Sequence, residues 1–194
     1  MDAFPPTIII VTGRPAAGKS TLAKWLSQEL KFPLVSKDSI REVLFDRLGW
    51  KDRKWVQEFG KVSVDMMFYF AKAELAVGRS IIMDNSFYPP VSNSRFQDLE
   101  KEYNAESVQI VCNSDRETLF QRFKSRANTG NRHPGHGDQE VLEELYANLA
   151  DNSSSILEIR GSIIEVDTTD FAKVDYPMIL QEVKSILINS QRQV

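Results

Sequence analysis

Lys19, Ser20 and Thr21 end the stretch GRPAAGKST, residues 13 to 21, which lies between the apolar run TIIIVT and the amphipathic LAKWLSQEL. Gly13, Gly18, Lys19 and Ser20 have the G-x-x-x-x-G-K-[ST] spacing of a Walker A loop, in the strand-then-helix context that such a loop requires. Each residue type has a physical use there. Glycines let the backbone turn through positive φ and present successive N–H groups to phosphate oxygens, and the helix starting near Gly18 adds the positive end of its dipole. A lysine at position 19 reaches the β- and γ-phosphates of a nucleotide, and a serine hydroxyl at position 20 ligates Mg²⁺. The spacing predicts nucleotide binding by Gly13, Arg14, Pro15, Ala16, Ala17, Gly18, Lys19, Ser20 and Thr21.

Moving phosphate needs further groups. In PLVSKDSIRE, Asp38 falls at the carboxyl end of an expected second strand, where open α/β sheets hold their ligands. A carboxylate there can accept the proton of a hydroxyl as it attacks the γ-phosphate. It can equally stabilise the first turn of a helix. Arg41, one turn on, shares its face and can pair with an anionic group on the acceptor or lie solvated. SIIMDN ends a strand with Asp84 and Asn85. A strand-end carboxylate beside a phosphate loop is where a Walker B acid holds Mg²⁺, although Asp and Asn also favour the turn that precedes FYPP. The expected metal ligands are thus Ser20 and Asp84, with Asn85 placed beside Asp38 and Arg41 on the acceptor side.

Three arginines follow in FQRFKSRANTGNRHPGHGD. Arg122 and Arg126 are four apart on one expected helix face, and Arg132 lies in the loop beyond. Arginines on a segment that closes over ATP stabilise the transferring phosphoryl group and exclude water. Arg126 and Arg132 are expected to act so, with Arg122 at the nucleotide. His133 and His136, with no cysteine or third histidine beside them, read as part of this closing segment rather than as a zinc pair.

These groups need a scaffold. Short β-branched runs at 7–12, 33–35, 80–84, 107–112 and 162–167 read as five strands, alternating with helical patterns at 18–30, 39–48, 53–77, 91–103, 115–127, 138–151 and 177–190. The alternation predicts βαβ units and a mostly parallel sheet with helices on both faces. Ser39 with Glu42, and Ser114 with Glu117, match capping boxes, and Asp138 precedes an apolar-periodic run. In the 53–77 helix, Trp55, Phe59, Val62, Met66, Phe70 and Ala73 form a stripe expected to face the core; Trp50 and Trp55 are expected in the core first, with lining of an acceptor pocket near the Asp38 helix as the alternative. Residues 1–194 read as one domain with a lid segment at about 115–138, and no linker divides it.

A net charge of −3 gives no sign of a surface coated for sequence-independent nucleic-acid binding. The single cysteine, Cys112, cannot form an internal disulfide and reads as a small buried hydrophobe. The start MDAFPPTIIIV has neither a basic n-region nor an apolar run of membrane-spanning length, so a soluble, cytoplasmic protein without a membrane partner is expected. No G-x-G-x-x-G dinucleotide fingerprint occurs, and NSD follows the fourth strand where a GTPase would show Asn-Lys-x-Asp. ATP is the expected nucleotide.

The set GRPAAGKST, SKDSIRE, SIIMDNS, R-x-x-x-R and NRHPGH resembles the small P-loop kinases of the AAA-domain ATP-binding family, close to polynucleotide 5′-hydroxyl kinases, zeta-toxin-type kinases and chloramphenicol phosphotransferase. The resemblance implies the P-loop nucleoside-triphosphate hydrolase fold with strand order 2-3-1-4-5. It also implies that Asp38 and Arg41 match the base and phosphate-contacting arginine of the polynucleotide kinases, and that Arg122, Arg126 and, more loosely, Arg132 match lid arginines. VDTTD, residues 166 to 170, resembles the loop beside the nucleobase in such kinases. The expected activity is transfer of the γ-phosphoryl group of ATP-Mg²⁺ to a hydroxyl of a small metabolite or nucleotide-like acceptor, ahead of a nucleic-acid 5′ end or a non-catalytic ATP-dependent switch. Acceptor identity and oligomeric state stay open at this level.

Overall fold

The computed structural model describes residues 5–130, 132–149 and 156–190. Its centre is a five-stranded sheet of β1 (Thr7–Gly13), β2 (Leu34–Ser36), β3 (Ile81–Asp84), β4 (Glu106–Asn113) and β5 (Ser162–Asp167), in the order β2-β3-β1-β4-β5. All four pairings are parallel. The helices are α1 (Lys19–Leu30), α2 (Lys37–Leu48), α3 (Arg53–Ala76), α4 (Pro89–Tyr103), α5 (Arg116–Thr129), α6 (Leu142–Asn148) and α7 (Tyr176–Ser190).

All seven residues of β1 are buried, as a strand covered on both faces must be. Alternation along it feeds two cores. Ile9 and Val11 pack with Leu22 and Leu26 of α1, Leu119 and Phe123 of α5, and Ile179 and Val183 of α7. Ile8 and Ile10 pack on the other face with Met67, Ala71 and Leu75 of α3 and Phe96 and Leu99 of α4. Each of these side chains other than Ala71, fully buried, contributes roughly 1.5–3 kcal/mol through apolar area removed from water. Register then aligns the chemistry, since Val11 pairs with Asp84 and Gly13 with Cys112. The phosphate loop and the β3 carboxylate therefore leave the sheet side by side.

Several local expectations change. The α3 stripe is rotated: Phe59, Ser63, Met67, Ala71 and Leu75 are buried, while Val62 and Phe70 are each 44% exposed. Neighbours on both sides of the stripe are apolar, so periodicity alone does not select the face. Trp50 is 45% exposed rather than core. α2 begins at Lys37, ahead of Ser39, so the Ser39–Glu42 box does not form. α5 is capped by Asp115, whose carboxylate accepts from the Thr118 amide, instead of Ser114. α4 starts two residues early because Pro89 and Pro90 fit a first helical turn. The expected 138–151 helix splits into a 3-10 turn at Asp138–Val141 and the short α6, and its residues 150 and 151 lie outside the described ones. Among the described residues, no helix is long and apolar enough to cross a membrane.

Candidate active site

β1 delivers the chain into the phosphate loop at Gly13, whose φ of +131° and closeness to the neighbouring strand exclude a side chain: a Cβ there would sit 2.2 Å from the Cys112 carbonyl oxygen. Two further turns of positive φ follow, Ala16 at 64° and Gly18 at 81°, the latter capping α1. Ala16 stores strain in this left-handed conformation, of order 1–3 kcal/mol. Lys19 is buried, and its Nζ donates to the Arg14 carbonyl at 2.7 Å, bridging the loop that it closes. Burial pushes the Lys19 pKa down, against the attraction of Asp84.

A cavity of about 420 Å³ opens above this loop. Pro15, Ala16, Gly18, Lys19, Ser20 and Thr21 form its floor, Asp84 and Asn85 come from the end of β3, Asp38 and Arg41 from α2, and Arg122, Arg126 and Arg132 form its far wall. Gly13, Arg14 and Ala17 lie behind the lining and shape the loop. All the candidates for transfer and metal binding thus converge on one space.

Asp84 is buried, accepts from the Ser36 hydroxyl at 3.1 Å and also meets the Ser20 hydroxyl. Burial raises its pKa, opposed by those two hydroxyls and Lys19. A serine hydroxyl and a carboxylate side by side at a phosphate loop are oxygen donors suited to Mg²⁺. Asp38 lies in the first turn of α2, as the helix-stabilising reading expects, without being its N-cap, and it is also gripped from the site: Arg41 Nη2 donates to its Oδ1 at 3.1 Å, and Arg132 Nη2 donates to its Oδ2. Its side chain is 44% exposed, within reach of a ligand. Burial of this carboxylate acts to raise its pKa, but Arg132 and then Arg41 outweigh it and hold the group below its usual range.

Two guanidinium donors at the cavity, Arg122 Nη1 and Arg126 Nε, are buried with no hydrogen-bond partner among the described residues. Arg126 Nε lies 3.3 Å from Asp138 without making a hydrogen bond. Arg126 is ion-paired with Asp138, but the buried Arg122 Nη1 donor has no partner and carries a penalty that an anion would remove, so this wall fits a polyphosphate. Arg132 also holds Asp138 with two bonds of 2.8 Å.

The segment 132–138 is docked on α2. His136 is buried, receives a hydrogen bond from Arg41 at Nδ1 and donates from Nε2 to Glu42 at 2.8 Å. One turn on, His133 meets Asp46 at 3.2 Å and stacks on Phe45, against which Gly135 also packs closely. Burial, with Arg132 and Arg41 nearby, pushes the His136 pKa down to about 4, so the ring is neutral at physiological pH. No group of three or more possible metal-binding side chains occurs among the described residues.

Four cavity-lining residues, Phe171, Lys37, Ser36 and Ser86, carried no sequence signal of their own. Phe171, from the 3-10 turn Phe171–Lys173 after β5, lies under the Arg122 guanidinium at 3.7 Å and against Gly18. Position relative to the VDTTD exit was the only available pointer to Phe171.

A parallel sheet in this order, with a Walker A loop leaving its central strand, defines a P-loop nucleotide-binding protein. The chain belongs to the AAA domain family, whose pattern matches residues 8–151. A solved structure of a candidate kinase from Chloroflexus aurantiacus J-10-fl is 33% identical, with 98% of this chain and 100% of that one aligned at a TM-score of 0.84. An L-seryl-tRNA(Sec) kinase of Methanococcus maripaludis is 26% identical over 192 residues, 96% of this chain and 68% of that protein. A candidate adenylate kinase of Thermococcus onnurineus is 27% identical over 165 residues, 84% of this chain and 75% of that protein. The chain is a small ATP-dependent P-loop kinase.

Proposed function

We propose that this kinase transfers the γ-phosphoryl group of ATP to a hydroxyl of a small metabolite or nucleotide-like acceptor in the cytoplasm, with residues of about 115–138 serving as its lid. The observation that carries the reading is the convergence of Lys19, Asp38 and Asp84 on one cavity whose arginine wall holds an unpaired buried donor. Lys19 and the loop amides bind the β- and γ-phosphates. Arg122 and Phe171, already face to face, flank the space for the base. Ser20 and Asp84 would hold Mg²⁺, which when bound with ATP neutralises charge on the β- and γ-oxygens.

The acceptor hydroxyl lies against Asp38, with Arg41 and Asn85 fixing its orientation. Its oxygen forms a bond to the γ-phosphorus as the bond from that phosphorus to the β,γ-bridging oxygen breaks; the hydroxyl proton passes to Asp38, and ADP leaves. Asp38 can do this only when Arg132 lets go of its Oδ2, and the γ-phosphate is the competing anion that draws Arg132 away. Arg126 and Arg132 then neutralise the transferring group and exclude water.

The test is transfer of labelled γ-phosphate to nucleosides, nucleotides, sugars, hydroxylated antibiotics, 5′-hydroxyl oligonucleotides and seryl-tRNA. Label should enter one class, be lost in Lys19→Ala and Asp38→Asn, and leave ATP affinity of Asp38→Asn within a few fold of the parent. Slow hydrolysis alone, unchanged in Asp38→Asn, would remove Asp38 from the role of base.

A further inference from the structure

Among the described residues, the Arg41 side chain makes hydrogen bonds only through Nη2, whose two hydrogens go to Asp38 Oδ1 and to His136 Nδ1. Its Nε is buried without a partner. The direction of this guanidinium is therefore set by two acceptors, one on α2 and one on the segment docked against it.

Those partners also fix the state of the ring. A guanidinium only donates, so His136 Nδ1 must carry a lone pair; a carboxylate only accepts, so Nε2 must carry the hydrogen that meets Glu42 at 2.8 Å. The bonds run from Arg41 to Asp38 and His136, and from His136 on to Glu42. The His136 side chain is 1% exposed and lies edge-on to Phe45, ring centroids 5.5 Å apart. The neighbouring Gly135 packs so tightly that a Cβ would come within 2.7 Å of the Phe45 ring. Such packing opposes a ring flip that would offer the other nitrogen. A neutral acceptor has a particular use at this point. Asp138 and Glu42 both attract Arg41 already, and a carboxylate touching Nη2 would pull the guanidinium off Asp38. The imidazole lone pair satisfies the second hydrogen without competing in charge.

We propose that His136 and Glu42 are positioning residues for phosphoryl transfer, forming with Arg41 a relay that clamps Asp38 Oδ1 and leaves Oδ2 as the oxygen that takes the acceptor's proton. The inference rests on the kinase reading above, in which Asp38 is the base and Arg132 gives up Oδ2 to the γ-phosphate. Neither His136 nor Glu42 lines the cavity, so each acts through Arg41. No proton passes along the relay; its bonds persist while the other carboxylate oxygen works.

The full chain is studied with Mg²⁺ and a non-hydrolysable ATP analogue. Analogue binding should shift the amides of residues 13–21; unmoved amides, with no acceptor labelled in the transfer assay, would take away the kinase reading and the relay with it. With only two histidines in the chain, ring ¹⁵N resonances identify the tautomer, and His136 should carry its hydrogen on Nε2 at neutral pH. The Asp38 carboxyl carbon, followed by ¹³C through a pH titration of the analogue complex, should show a higher midpoint in His136→Leu and Glu42→Leu, and a midpoint near the parent's in His136→Gln, which again offers a neutral acceptor. Removing the Glu42 charge would by itself lower that midpoint, so a rise reports the lost aim of Arg41. On the acceptor that takes label, kcat of both leucine variants should fall about tenfold to a hundredfold with the KM for ATP within about twofold, and His136→Gln should recover most of it. Dispersed amide spectra show which variants are folded, and the Glu42 side chain, 39% exposed, can be replaced without opening the core. A hydrogen on His136 Nδ1, an unmoved Asp38 midpoint, or parental kcat in Glu42→Leu would overturn the relay and leave the kinase reading standing.

Discussion

Replacing Lys19 by methionine should move stability and nucleotide binding in opposite directions. The side chain is 9% exposed, and folding removes its charge from water with one hydrogen bond, to the Arg14 carbonyl, and the field of Asp84 as compensation. Lys19 makes no ion pair among the described residues, so an apolar side chain of similar volume relieves an incompletely compensated buried charge, a penalty of about 1–3 kcal/mol. Losing the Lys19 bond to the Arg14 carbonyl, which keeps the Ala17 amide as a donor, and losing the Lys19 charge beside Asp84 offset part of this, leaving a net gain of about 1 kcal/mol. For a chain of 194 residues that is a rise of about 2–4 °C in the nucleotide-free Tm. Parent protein with ATP-Mg²⁺ at about 100 times Kd gains about 2.7 kcal/mol by linkage, or roughly 5–10 °C, whereas the variant should gain almost none. Differential scanning calorimetry with and without a non-hydrolysable analogue reads both effects. The pH dependence gives an independent check on sign. Because burial lowers the folded-state pKa of Lys19, its destabilising contribution is fully present below that value and disappears as pH rises through the ordinary lysine range. The variant's advantage should therefore hold at neutral pH and fade in alkaline solution. A nucleotide-free Lys19→Met that melts below the parent would refute the reasoning and make the Lys19 contact with Arg14 the element that holds the loop shut.

Gly18→Ala should lower stability by about 1–2 kcal/mol, since φ is +81° there and the new Cβ would meet Phe171 at 2.5 Å; denaturant midpoints measure the loss, and analogue titration should show weaker binding as the ring is displaced. The His136 pKa is pushed down to about 4, so the unfolded chain takes up its proton before the folded one. Stability should thus fall between about pH 6.5 and 4, and His136→Gln should flatten that part of the profile in urea titrations. The Cys112 thiol is pushed up to about 12 by burial, so iodoacetamide at pH 8 should label unfolded protein and leave the native chain unmodified over the same period.

The central architecture was legible because strongly biased segments write it. TIIIVT and SIIMD admit few alternatives to buried strands, and the strand, glycine-rich loop and helix sequence locates the nucleotide end to the residue. Asp38, Asp84 and the three arginines were found as candidates by their place relative to that loop. Their relations were not legible. That Arg132 grips Asp38 across 94 residues, or that His136 joins Arg41 to Glu42, depends on how the 132–138 segment folds back, and a loop of Pro, Gly and His has no periodicity to reveal it. The α3 face was misread for a related reason. Apolar residues occupy more than half its circumference, so burial is decided by which stripe meets β3 and α4, a tertiary matter. Phe171 and Lys37 were missed because an aromatic after a strand and a lysine at a helix start are ordinary in isolation.

The pairing of Val11 with Asp84 and Gly13 with Cys112 has a consequence for how such a protein changes through descent. The carboxylate and the phosphate loop leave adjacent strands, so their spacing is set by backbone ladders about 4.8 Å apart and not by any side-chain rotamer. Of the residues proposed to meet the acceptor, Asp38 and Arg41 belong instead to α2, which is held by α3 and by the 132–138 segment more than by the central strands. Substitutions there can exchange one acceptor for another while the nucleotide end keeps its dimensions. Diversity of substrate and constancy of the phosphate donor are, in this architecture, inherited on separate parts of the chain.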